Sequence, residues 1–157
     1  MDLKKLIVRI WLIRLPKVFI LLLILPGGVL GQIGQSWQER AEAGSAFAQN
    51  NLGIMYAQGE GVEEDDAEAV KWFLLAAEQG YTAAQYSLGV MYAAGDGVAQ
   101  SYITAHAWWS VAAISGHRNA SRNLSVIEQR LESSEIEEAQ ALFLELSQTV
   151  KTEPKEE

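Results

Sequence analysis

The chain of 157 residues contains no cysteine. That absence excludes a disulfide framework, a thiolate metal site, a cysteine nucleophile and a lipid-bearing cysteine at a mature N-terminus. Histidine is nearly absent too, with only His106 and His117 to serve any metal centre that needs three or four converging ligands. The sequence holds no Gly-x-Ser-x-Gly elbow, Ser-x-x-Lys pair, His-Glu-x-x-His helix or phosphate-cradling Gly-x-x-x-x-Gly-Lys loop. No catalytic residue, cofactor or metal site is therefore assigned, and a non-enzyme is expected. Basic residues are scarce beyond position 31. Five of the twelve precede it (Lys4, Lys5, Arg9, Arg14, Lys17), which leaves seven against nineteen acids, a formal charge of about −12. Such a surface repels phosphate backbones, so a nucleic-acid partner is excluded from the expected classes.

The one long apolar run is Val18 to Leu25, preceded by the basic stretch Met1 to Lys17 and followed by Pro26-Gly27-Gly28 and Val29-Leu30-Gly31. A charged leader, an apolar core, a helix breaker and modest side chains before a cut are the ordered parts of a bacterial secretory signal. Residues 1–31 are expected to be that signal, with a cleaved form favoured over an N-terminal membrane anchor, since a spanning helix needs about 20 apolar residues. The localisation that follows is periplasmic or secreted. If the segment is retained, the alternative is an inner-membrane anchor with the remaining chain outside the cytoplasm, because the cationic flank stays inside.

Beyond residue 32, the chain repeats itself at an offset of 36. Gly44 aligns with Gly80 and Gly116, Gly53 with Gly89, Gly59 with Gly95 and Gly61 with Gly97. Ala48 pairs with Ala84 and Ala120, Leu52 with Leu88 and Leu124, Tyr56 with Tyr92, Trp72 with Trp108, Phe73 with Trp109, and Ala76 with Ala112. A fixed period of this length marks stacked supersecondary units that cannot bury their apolar faces alone. Within each unit the apolar positions recur at three- and four-residue steps in two stretches, which predicts two amphipathic helices. The Gly-x-Gly-Val strings at 59–62 and 95–98 supply a reversal between them. Caps are expected at Asp65 with Glu68, at Ser101, at Thr82 with Gln85, and at Ser134 with Glu137.

The strings AQNNLGIMYAQGEGVEEDDAEAVKWFLLAAEQG and AQYSLGVMYAAGDGVAQSYITAHAWWSVAAISG resemble Sel-1-like repeats, a helical-repeat family related to tetratricopeptide arrays. The resemblance rests on an ordered combination of Ala, Leu-Gly, Tyr, Gly-x-Gly-Val, Ala, Trp, Ala-Ala and Gly. It implies an all-α fold, an α/α superhelix or right-handed solenoid of antiparallel helix pairs, used for protein–protein contact. The organisation expected over residues 32–149 is a capping helix at 33–43, repeats at 44–79 and 80–115, and a degenerate repeat at 116–148 with its last helix near 135–148. A disordered tail is expected at 150–157.

Three features invite a chemical reading, and a structural one outweighs each. Both histidines lack a partner at local spacing and read as structural or solvated. The acids of Glu60 to Glu68 suit a docking patch or a weak calcium site, but acids beside a helix start also complement its dipole. Trp72, Trp108 and Trp109 occupy lattice positions that pack between repeats. Binding is instead assigned to positions that packing leaves free on the first helices: Asn50, Tyr86 and Arg122 in one row, and Asn51, Ser87 and Asn123 beside it. In tetratricopeptide-like stacks the first helices line the concave face. The expected function is an exported adaptor or scaffold that binds a protein or peptide segment of the cell envelope. Membrane contact is expected only if the N-terminal segment is retained, and a homo-oligomer is possible because the core is small. The alternative is a secreted hydrolase of β-lactam type, as suggested for cysteine-rich relatives of the family, whose cysteines this chain lacks.

Overall fold

The computed structural model describes residues 36–150; the stretch expected to be a signal, 1–31, and the tail residues 151–157 lie outside them. The fold described is that of the unit that begins at Trp37. It consists of seven helices: α1 Trp37–Glu42, α2 Ala46–Gln58, α3 Asp66–Glu78, α4 Thr82–Ala94, α5 Tyr102–Ile114, α6 Arg118–Ile127 and α7 Ser133–Thr149. No strand occurs among the described residues. α1 lies within the stretch 33–43 expected to form a capping helix, of which residues 33–35 fall outside those described, and α2–α3 and α4–α5 are two full helix pairs.

The turn chemistry explains where the first helices stop. Gly59 and Gly95 cap α2 and α4 at φ of 65° and 85°, and their N–H groups reach back to the carbonyls of Met55 and Met91. This left-handed conformation is nearly free of cost for glycine. The second helices start on side-chain caps: Asp65 accepts from the Glu68 amide at 3.0 Å, and Ser101 accepts from the Thr104 amide at 3.1 Å. Two expected caps are corrected. Thr82 is the first helical residue of α4, whose N-cap is Tyr81 without a side-chain bond, because Gln85 is drawn into the core. In α7 the cap lies two residues earlier than expected, with the Glu132 amide donating to the Glu135 carboxylate at 2.8 Å.

Packing follows the small-and-large alternation of the repeat. Ala48, Ala69, Ala76, Ala84, Ala105, Ala112 and Ala120 have no exposed surface, so neighbouring backbones approach closely there. Leu88, Met91, Phe73 and Trp108 fill the central layer, and each such side chain contributes roughly 1.5–3 kcal/mol on burial. The aromatic rings of the second helices sit directly on helix-interior glycines. A Cβ added at Gly53 would lie 2.7 Å from Phe73, and one at Gly89 would lie 2.3 Å from Trp109. With no side chain in the way, Trp109 Nε1 donates to the Tyr86 carbonyl at 3.2 Å.

The third unit parts from this plan. The 36-residue step places Ser125 opposite the two glycines and Glu145 opposite the two aromatics, so both halves of the joint are missing. α6 packs on α5 as a first helix should, but α7 packs along α5 rather than pairing with α6. Leu146 and Val150 at its end lie against the central cluster that contains Val70, Phe73 and Leu88. Val150, expected in the tail, thus belongs to the fold, and its N–H donates to the Leu146 carbonyl at 2.9 Å.

Candidate interaction face

Successive residues of an α-helix are about 100° apart, so the four lattice positions occupied in α2 by Phe47, Asn51, Ile54 and Gln58 share one side of the helix. Their counterparts are Ala83, Ser87, Val90 and Ala94 in α4, and Asn119, Asn123 and Val126 in α6, with Arg130 in the turn after it. All twelve are exposed or half-buried. Three first helices therefore present a common open side with an aliphatic row, Ile54, Val90 and Val126, beside the polar row Asn51, Ser87 and Asn123. Val90 is 38% exposed and Val126 52%.

The six residues assigned from the sequence divide between two environments. Asn51 and Ser87 lie on the open side, each bonded to its own helix: Asn51 Nδ2 donates to the Phe47 carbonyl at 2.9 Å, and Ser87 Oγ to the Ala83 carbonyl at 3.0 Å. Asn123 lies there too, half-buried in a cleft between α6 and the α4–α5 pair. Asn50, Tyr86 and Arg122 sit about 100° round the helix from these, which places Asn50 and Tyr86 in the seam between units. Asn50 is 5% exposed with Oδ1 unpartnered, so it does not belong to a solvent-facing row. Tyr86 is half-buried and stacks on His117 at the head of α6, with ring centroids 4.3 Å apart. Arg122, with no first helix beyond it, is exposed, and its guanidinium reaches Asn119 Oδ1 at 3.5 Å. The row is graded because a following unit, where there is one, closes over the seam.

Two constellations escaped sequence reasoning. Gln49 and Gln85, also 36 apart, turn inward and donate Nε2 to the carbonyls of Ala41 and Ala77 at 3.1 and 3.2 Å. Those carbonyls belong to the last turns of α1 and α3, where helix ends leave acceptors without intrahelical partners. The repeat offset contains this pairing, and also the aliphatic row. Both histidines are structural, as expected, but each has a partner at local spacing, where none is legible in the sequence. His117 caps α6, its Nδ1 accepting from the Ala120 amide at 3.3 Å. His106 is 4% exposed, with Nε2 3.2 Å from Glu128 Oε1 and Nδ1 3.4 Å from Ser110 Oγ.

The order Ser110, His106, Glu128 resembles a hydrolase relay in composition. Ser110 nevertheless sits in the middle of α5, where the surrounding amides are used by the helix and offer no donors to an oxyanion. Among the described residues, no group of three or more His, Asp or Glu is arranged to hold a metal ion. No described helix is long and apolar enough to cross a membrane.

Stacked antiparallel helix pairs with a 36-residue period define an α/α helical-repeat protein. The family model of the Sel1 repeat matches residues 46–81 and 82–117. Among solved structures, the chain is similar to c5321, a protective antigen present in uropathogenic Escherichia coli strains that displays an SLR fold. Identity is 33% over 73% of this chain and 25% of that one, with a TM-score of 0.71. It is also similar to a Sel1 repeat protein from Oxalobacter formigenes, at 39% identity over 57% of this chain and 67% of that one, with a TM-score of 0.56. No curated protein matches the chain. The chain belongs to the Sel1 repeat family, and it spans a quarter of the length of the E. coli antigen.

Proposed function

We propose that the protein is an exported, non-catalytic adaptor that holds a protein or peptide segment along the open side of α2, α4 and α6. The observation that carries this reading is the register of two rows that packing leaves at least partly open: aliphatic Ile54, Val90 and Val126, of which Val90 and Val126 are exposed and Ile54 is half-buried, beside the half-buried polar Asn51, Ser87 and Asn123. An extended segment laid across the three helices meets the same pair of chemistries at each step. Apolar contact supplies area, and the side-chain amides and hydroxyl supply directional bonds, the mixture that interfaces use. Arg122 borders this side at its C-terminal end, while Tyr86 and Asn50 support it from the seam. Membership of the Sel1 repeat family is consistent with an interaction scaffold.

The test is recovery of a partner from envelope extract on immobilised protein. Replacing Asn51→Glu and Val90→Glu together puts two charges on the open side without entering the core. Recovery is expected to fall about tenfold with helicity unchanged, as loss of one good anchor of about 1.4 kcal/mol would give. Unchanged recovery overturns the proposal. Export rests on residues 1–31, and N-terminal sequencing of the mature protein decides it: a start near residue 32 supports a cleaved signal.

A further inference from the structure

We infer that the cleft at the third unit is an anchor site for an acidic segment of a partner carrying one large apolar side chain. This deepens the reading above and rests on it. The cleft has a volume of about 220 Å³ and lies where α6 meets the α4–α5 pair. Trp109, Tyr102, Ile127 and Val126 form its apolar lining, while Asn123 and Arg130 supply its polar groups. Ligand pockets for whole small molecules run from about 300 Å³ upward, so this volume suits a single leucine or phenylalanine side chain.

One unit earlier the basic group is missing: Ala94 stands at the position of Arg130, and the long, unbranched Met91 at that of Ile127.

Charge identifies the segment. The described residues contain five basic side chains, of which Arg40 lies over the Trp37 ring and Lys71 pairs with Glu68. The other three, Arg118, Arg122 and Arg130, all belong to α6 or the turn after it, and form no ion pair among the described residues. Glu128 and Glu132 flank Arg130 in sequence, but α6 itself carries Arg118 and Arg122 and no acid, whereas acids outnumber bases over the described residues before it, so complementarity directs an acidic segment to the α6 side of the cleft. The apolar side chain enters between Trp109 and Val126, and a flanking carboxylate meets the Arg130 guanidinium.

The experiment is fluorescence anisotropy on the full-length protein with a labelled acidic hexapeptide bearing one central leucine. Two control peptides replace the leucine by alanine, or the acids by lysine. The acidic leucine peptide is expected to bind, with both controls about tenfold weaker and with affinity falling as salt rises. Arg130→Glu is expected to lose about tenfold for the acidic peptide and to gain the lysine peptide, while Arg130→Lys stays within about threefold. Val126→Asp, also exposed, is expected to lose the leucine preference. Equal binding of acidic and lysine peptides, or an unaffected Arg130→Glu variant, overturns the inference. A chain ending at Val150 that binds the acidic peptide about tenfold more tightly would assign the cleft to the chain's own tail and also overturn it. If no peptide binds but Asn51→Glu with Val90→Glu still lowers partner recovery, the anchor site fails alone; if recovery is also unchanged, both readings fail.

Discussion

The second and third units begin alike and end differently. α4 and α6 both pack on the second helix before them, through Ala84 and Leu88 in one and Ala120 and Leu124 in the other. α4 then receives α5, whereas α6 does not receive α7. The third unit lacks the turn glycines, with Leu131 and Ser133 in their places, and it lacks the joint in which a helix-interior glycine faces an aromatic ring. Gly89 lets the Trp109 ring rest on the α4 backbone, and Ser125 with Glu145 offers no such fit. A unit can therefore keep its lattice alanine and leucine, continue the stack by one helix, and still release its second helix to another place. That release ends the solenoid and leaves three arginines and a cleft at its C-terminal side.

Substitutions at lattice glycines break this comparison most strongly. A Cβ at Gly97 would lie 2.3 Å from the Asp66 backbone at the start of α3, at φ of 68°, whereas its counterpart Gly61 would meet only the Met55 methyl at 3.5 Å. Gly97→Ala is expected to cost about 3 kcal/mol, combining positive-φ strain with an inter-unit clash that only backbone movement relieves. Gly61→Ala is expected to cost about 1 kcal/mol, from strain alone. Denaturant unfolding of the two variants measures the gap, and equal losses would show that the second turn does not lean on the first unit.

Gly89→Ala comes next, at about 2 kcal/mol. The clash with Trp109 outweighs a gain of up to about 1 kcal/mol in helix propensity. Loss of the Trp109 bond to the Tyr86 carbonyl should accompany it as a change in tryptophan emission. A variant as stable as the parent would remove the glycine–aromatic joint from the account.

Caps give the smallest effects and sharpen the assignment of helix starts. Asp65→Ala or Ser101→Ala is expected to lower stability by about 1 kcal/mol. Thr82→Ala is expected to stay within about 0.5 kcal/mol, because Thr82 caps nothing. A loss at Thr82 as large as at Ser101 would restore the cap expected from sequence.

The helix pairs were legible because their determinants repeat at one spacing: glycines at the turns, alanines at close approaches and aromatics between layers. The family resemblance rested on those same residues. What stayed hidden depends on neighbours outside the residue's own helix. Asn50 looks polar and free on α2, but its burial is set by the adjoining helices and the next unit. Gln49 and Gln85 look like ordinary surface amides until the carbonyls at the ends of α1 and α3 are in place. The parting of α7 from α6 accompanies the loss of the turn glycines at Leu131 and Ser133 and of the glycine–aromatic joint at Ser125 and Glu145, and the last two absences, 20 residues apart, are inconspicuous alone. Of the six candidate residues, Asn51, Ser87 and Asn123 lie on the open side, Asn50 and Tyr86 in the seam, and Arg122 is exposed at the last first helix.

The central claim is that partners meet the side formed by the first helices. Site-specific photocrosslinking addresses it most directly, with a photoreactive side chain placed at Val90 on α4 or at Lys71, exposed on the second helix α3. The account predicts partner adducts from Val90 and none above background from Lys71. Adducts from Lys71 with none from Val90 would contradict it.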